Sequence, residues 1–141
     1  MVTASLSTKR RKTRMIALQV LYEVSAVAHD PSVILRQVAD EEALSPSAET
    51  FARKLIEGVI ANRIEINKII TTLAPSWPIE QMALVDRNIL SMAIYEIMLG
   101  GETPPKVAIN EAVEIAKVFG SDSSPRFING VLGSVMESKK K

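Results

Sequence analysis

The sequence predicts an all-α fold, and three observations predict it. Apolar residues recur at three- and four-residue spacing along most of the chain, as in Ile109, Ala112, Val113 and Ala116. No stretch alternates apolar and polar residues strictly, so no strand is assigned. Proline and glycine punctuate the periodic stretches: Pro31 and Pro125 follow capping residues, while Gly100, Gly101 and Gly120 follow the last apolar position of a stretch. About seven helices are expected.

Residues Met1–Thr8 are small and polar and read as a disordered tail. The first helix is placed from about Arg10 to Val27, burying Ala17, Val20, Leu21 and Val24. Asp30 caps a second helix with Pro31 at its first position. Ser47 is taken to start one long helix that runs to Leu73. Pro75 and Pro78 cannot continue a helix, so 74–78 is a break. A short helical turn is expected over 80–84, then a helix from about Asp86 to Gly100. Thr103 is read as the cap of the next helix, with Pro104 in its first turn, and Gly120 as the C′ residue that stops it, a position where glycine commonly turns left-handed. Ser124 caps the last helix, whose stripe is Phe127, Ile128, Val131, Leu132, Val135 and Met136. Gly130 and Gly133 on that helix are expected to let a neighbouring helix approach closely.

A chain of 141 residues fits one compact domain, assigned to 9–138 with a basic tail at 139–141. The hydrophobic fraction of 47% supports a core, and an aromatic fraction of 4% makes that core aliphatic. The absence of cysteine excludes a disulfide framework and a thiolate zinc site. No apolar run reaches the roughly 18 residues of a membrane span, and the first ten residues lack the apolar segment of a signal peptide. A cytoplasmic protein without membrane contact is expected.

The formal net charge of +1 hides an asymmetry. Lys9, Arg10, Arg11, Lys12 and Arg14 lie within six positions, and Lys139, Lys140 and Lys141 close the chain. The remaining 9 basic residues meet 16 acidic ones, so the body carries about −7. This pattern suits a local nucleic-acid footprint on the basic segment and an acidic surface for another partner. Catalysis finds little support. His29 sits in a loop without an evident base or metal partner. There is no phosphate-binding glycine loop or dinucleotide fingerprint. Glu111 and Glu114 share a helix face, but Lys117 stands where a bundle metal site would place a histidine. They read as a solvated or partner-facing surface, and no catalytic residue, metal or cofactor is assigned.

Several stretches together resemble one family. KVAINEAVEIAK, then FG, a Ser-rich turn and RFINGVL are similar to the C-terminal signature of the NusB transcription antitermination family. VDRNILSMAIYEIM resembles the preceding family helix, and RKTRMIALQVLYE its Arg-rich first helix. The resemblance runs from about Lys9 to Val135. It implies two packed helical bundles divided near Pro75–Pro78, and a factor that binds a single-stranded boxA element of ribosomal RNA leaders. Arg10, Arg11, Lys12 and Arg14 become RNA contacts, joined by Arg126 and Phe127. Phe127 near a helix start can stack on a splayed base, or it can pack in the core.

The resemblance also implies pairing with NusE, a small-ribosomal-subunit protein, through positions around Glu80 and Asp86, and a place in the antitermination complex with RNA polymerase. Asp86 equally suits a helix start, where the dipole favours a carboxylate. Two positions depart from the family pattern: Gln81 where a basic residue is frequent, and Ser91 where an arginine is. Two other readings stay open: an RNA-binding module related to the N-terminal domain of ribosomal RNA methyltransferases, and a helical adaptor that binds only protein. A free homodimer is compatible with the sequence.

Overall fold

The computed structural model describes residues 2–100 and 102–140, without the side chains of residues 2–8 and 140. Among the described residues seven α-helices follow one another: α1 Val2–Val27, α2 Pro31–Glu41, α3 Pro46–Ala61, α4 Arg63–Leu73, α5 Leu84–Ile94, α6 Pro105–Phe119 and α7 Ser124–Lys140. A 3₁₀ turn at Ile79–Gln81 precedes α5, and a π-helical turn at Tyr95–Gly100 extends it. No strand occurs among the described residues. The backbone of α1 starts before the expected Arg10. The expected tail over Met1–Thr8 rests on Met1 and on side chains outside the described set, as does the end of the basic tail at Lys140 and Lys141.

The chain forms two compact units, Met1–Glu57 and Gly58–Lys141. This division falls inside α3, upstream of Pro75–Pro78, which lies within the second unit. In the first unit Ala17, Val20 and Leu21 are buried as expected, together with Ile16 and Leu18, against the α2 residues Ile34 and Leu35. Asp30 caps α2 by accepting a 2.8 Å hydrogen bond from the Ser32 N–H. In the second unit α5, α6 and α7 pack on one another around Leu90, Ile94, Ile115, Ile128 and Leu132, with α4 against α5 and α7.

Four local expectations are corrected. The long helix expected from Ser47 to Leu73 breaks at Asn62, whose side-chain amide donates to the Gly58 carbonyl at 2.8 Å and competes with the helical ladder. Ser45, not Ser47, caps α3, accepting from the Ala48 N–H at 3.1 Å. Helix α6 starts at Pro105 rather than Pro104: a residue before proline is pushed out of the helical region, and Pro104 has ψ 137°. Gly120 ends α6 in an extended conformation, φ −91° and ψ −173°, not a left-handed one. Glycine is needed there because a Cβ would lie 2.5 Å from the Ser124 hydroxyl.

The expected close approach at Gly130 and Gly133 is also absent. A Cβ at either would meet nothing within 4 Å, because both fall off the buried stripe of α7. They face an open cleft of about 720 Å³ bordered by Leu73, Ser134 and Glu137. The close approach is instead at Gly58, where a Cβ would run into the ring of Tyr95. On α6, Glu111 is 7% exposed rather than solvated, while Glu114 pairs with Lys117 at 2.6 Å. His29 does have a partner, Glu23, 2.9 Å away on an exposed face.

Candidate functional site

The basic segment lies on α1, and its residues differ in where they point. Arg10 and Arg14 are four residues apart, so they stand on the same helix face. Both reach one ring on α3: the Arg10 guanidinium carbon lies 4.3 Å from the Phe51 centroid, and that of Arg14 lies 5.1 Å away. A ring face attracts cations, so Phe51 holds two like charges close together that would otherwise repel. Arg14 is 5% exposed and enters the site as a buried support. Lys9 and Lys12 are exposed, and Arg10 and Arg11 are half-buried. Lys12 lies 3.6 Å from Glu42, an exposed pair that solvent screens. Phe51 was legible in the sequence only as an apolar position. The i, i+4 spacing of Arg10 and Arg14 was the available signal that they share a seat.

The second set lies at the start of α7. Arg126 is exposed and makes no ion pair or hydrogen bond among the described residues. Phe127 is half-buried, between the two alternatives the sequence left open. Its ring leans on Trp77, with centroids 5.9 Å apart and planes at 49°. Trp77 sits in the 74–78 break and is 52% exposed. These residues border a shallow cleft of about 410 Å³ with Leu73, Pro75 and Gly130. Sequence reasoning passed over Trp77. The signal was present: the chain's one tryptophan stands in a loop between two prolines, where no helical stripe claims it.

Glu80 is exposed in the 3₁₀ turn, and Asp86 lies in the first turn of α5. Oδ1 of Asp86 is buried without a hydrogen-bond partner, as are both amide atoms of Asn88. Ser91 is buried, and its hydroxyl donates to the Arg87 carbonyl at 2.8 Å. Arg63 of α4 reaches this hydroxyl at 3.4 Å. A positive charge therefore stands where the family pattern has an arginine, supplied from another helix. Burial, and then the nearby positive charge of Arg87, lower the pKa of Arg63 from its ordinary value.

The family model described as NusB family matches residues 11–137. The chain belongs to the NusB family. It is 46% identical over 129 residues to the transcription antitermination protein NusB of Roseiflexus sp. (strain RS-1), covering 90% of this chain and 91% of that one. Among solved structures, NusB of T. maritima superposes with a TM-score of 0.84 at 32% identity, covering 91% of this chain and 90% of that one. A crystal structure of the antitermination factors NusB and NusE in complex with dsRNA superposes equally well, TM-score 0.84. At 23% identity over 93% of this chain and 98% of that one, it bears on the fold alone. Transcription antitermination is the role that membership gives this NusB-family chain. No group of three or more histidine, aspartate or glutamate side chains suited to a metal occurs among its described residues. No described helix is long and apolar enough to cross a membrane.

Proposed function

We propose that this NusB-family chain is an RNA-binding antitermination factor that takes a boxA-type single-stranded leader RNA of ribosomal RNA operons together with NusE. It acts by binding, not catalysis, as part of a complex that travels with RNA polymerase. The observation that carries this reading is the run Lys9–Lys12 on α1, four cations that keep solvent exposure, next to Arg14 seated on Phe51. Each cation can neutralise a phosphate and release a counterion. Arg126 and Phe127 add a second contact set, one for phosphate and one for a base. The reading takes its two partner classes from a solved NusB of the same fold, which is in complex with NusE and with double-stranded RNA.

The acidic body suits a basic protein partner, since complementary potentials favour encounter. We assign that contact to Glu80 and Asp86. The relatives it matches over about nine-tenths of their own length are transcription antitermination proteins, which favours that role over the methyltransferase-related one.

Filter binding of a boxA-like RNA, a scrambled strand and a duplex tests the RNA reading. Preference for the boxA-like strand is expected, and equal retention of all three removes the sequence-specific part. Asp86→Lys should weaken NusE binding with helix content unchanged; unaltered affinity by calorimetry leaves Asp86 as a helix-start charge.

A further inference from the structure

We propose that Trp77 is an RNA contact in its own right. Its indole and the ring of Phe127 form an aromatic corner that receives one unstacked nucleobase, with Arg126 placed for the adjoining phosphate. The inference rests on the RNA-binding reading above and deepens it by naming a residue and the part of the ligand it takes.

Four observations carry it. The first is exposure: an indole left 52% open to solvent is a large apolar face without a covering element. The second is charge. Among the described residues bordering the cleft, Arg126 is the one that is ionisable, and none is a carboxylate. A flat apolar floor beside an unpaired guanidinium complements a flat base carried on an anionic strand better than an acidic or an apolar protein segment. The third is preorganisation. Pro75 and Pro78 restrict the backbone on either side, and the Trp77 N–H donates to the Ala74 carbonyl at 3.1 Å. The ring also leans on Phe127, so stacking a base on it orders little that is not ordered already. The fourth is an idle donor: the indole N–H has no acceptor among the described residues and stays available to a base edge or a phosphate oxygen.

Trp77 is the only tryptophan of the chain, so its emission reports on this corner alone. The test titrates the whole protein with the boxA-like strand and with an abasic strand of equal length, following emission and filter retention in parallel. Saturable quenching by the base-bearing strand is expected, with little from the abasic one, which still binds through its phosphates. Trp77→Ala should weaken the base-bearing strand roughly 5- to 150-fold without changing the salt dependence. Trp77→Phe should restore most of that loss, since a ring remains. The proposal is overturned if the strand is retained with no change in emission and Trp77→Ala binds as the parent does; the α1 reading then stands. It is also overturned if Trp77→Ala weakens the protein partner and not RNA, which makes the corner a protein contact. Failure of the parent protein to retain any RNA overturns the RNA reading itself. Were Trp77→Ala to lose helix content, the parent's emission and Trp77→Phe would still decide.

Discussion

Phe51 and Trp77 are both aromatic residues with arginine nearby, yet the two units use them differently. In the first unit the ring lies under Arg10 and Arg14, so its face is given to the protein's own cations. In the second unit Trp77 leans on Phe127 and stays half open, with Arg126 beside it making no ion pair among the described residues. A covered ring serves the charges above it by holding long side chains in place before a ligand arrives. An open ring serves the ligand directly. On the proposed RNA-binding reading, the cations of the first arrangement should give contacts that fade with salt, and the rings of the second contacts that do not.

The most severe way to break this comparison is to remove the frame beneath the open pair. Leu132, 0% exposed, lies on the same helix as Phe127. Leu132→Ala should cost about 2–5 kcal/mol in denaturant unfolding. A loss below about 1 kcal/mol would mean that Phe127 is not held by a well-packed helix.

The comparison is sharpened most by a salt series. Replacing Arg10, Arg11 and Lys12 together with Ala should reduce the slope of log affinity against log salt by about 2, from ~0.7 per neutralised phosphate. Phe127→Ala should instead weaken binding by about 1–3 kcal/mol at every salt concentration. Equal slopes in the parent and the triple variant would dissolve the distinction between the two rings.

A double-mutant cycle between Arg10 and Phe51, using Arg10→Ala and Phe51→Leu, measures the covered ring alone. A coupling of about 0.5–1 kcal/mol is expected, and zero coupling would make Phe51 ordinary packing. The smallest effect belongs to Lys12→Ala, which should change stability by less than about 0.5 kcal/mol, because its pair with Glu42 is exposed. A larger change would move Lys12 from ligand binding to structure.

What was legible in the sequence follows the range over which each feature is decided. The Asp30 cap and the stripe Ile128, Val131, Leu132, Val135 are set by neighbours a few residues away, and periodicity reads them. The break at Asn62 turns on one side chain competing with the ladder, against an unbroken apolar pattern. Arg63 meets Ser91 from 28 residues away, and Gly58 makes room for Tyr95 at greater separation still. Single-chain spacing carries no trace of such encounters. At the candidate site, the charges of α1 were legible because they are consecutive. Their seat was not, because Phe51 comes from another helix. Arg126 and Phe127 came from resemblance, while Trp77 had only its position between two prolines.

The corner between α6 and α7 bears on how the chain reaches this structure. Gly120 leaves the space that Ser124 fills, and Ser124 accepts from the Ser121 N–H at 2.9 Å, all within five residues. The two helices it joins then pack on each other more extensively than any other pair of helices among the described residues. Such a hairpin closes a very short loop, so its ordering entropy is offset early, before any distant segment is recruited. Helices α6 and α7 are therefore expected to form the nucleus of the transition state. Substitutions at Ser124 should slow refolding more than they speed unfolding, whereas those at Ile34 of α2 should do the reverse.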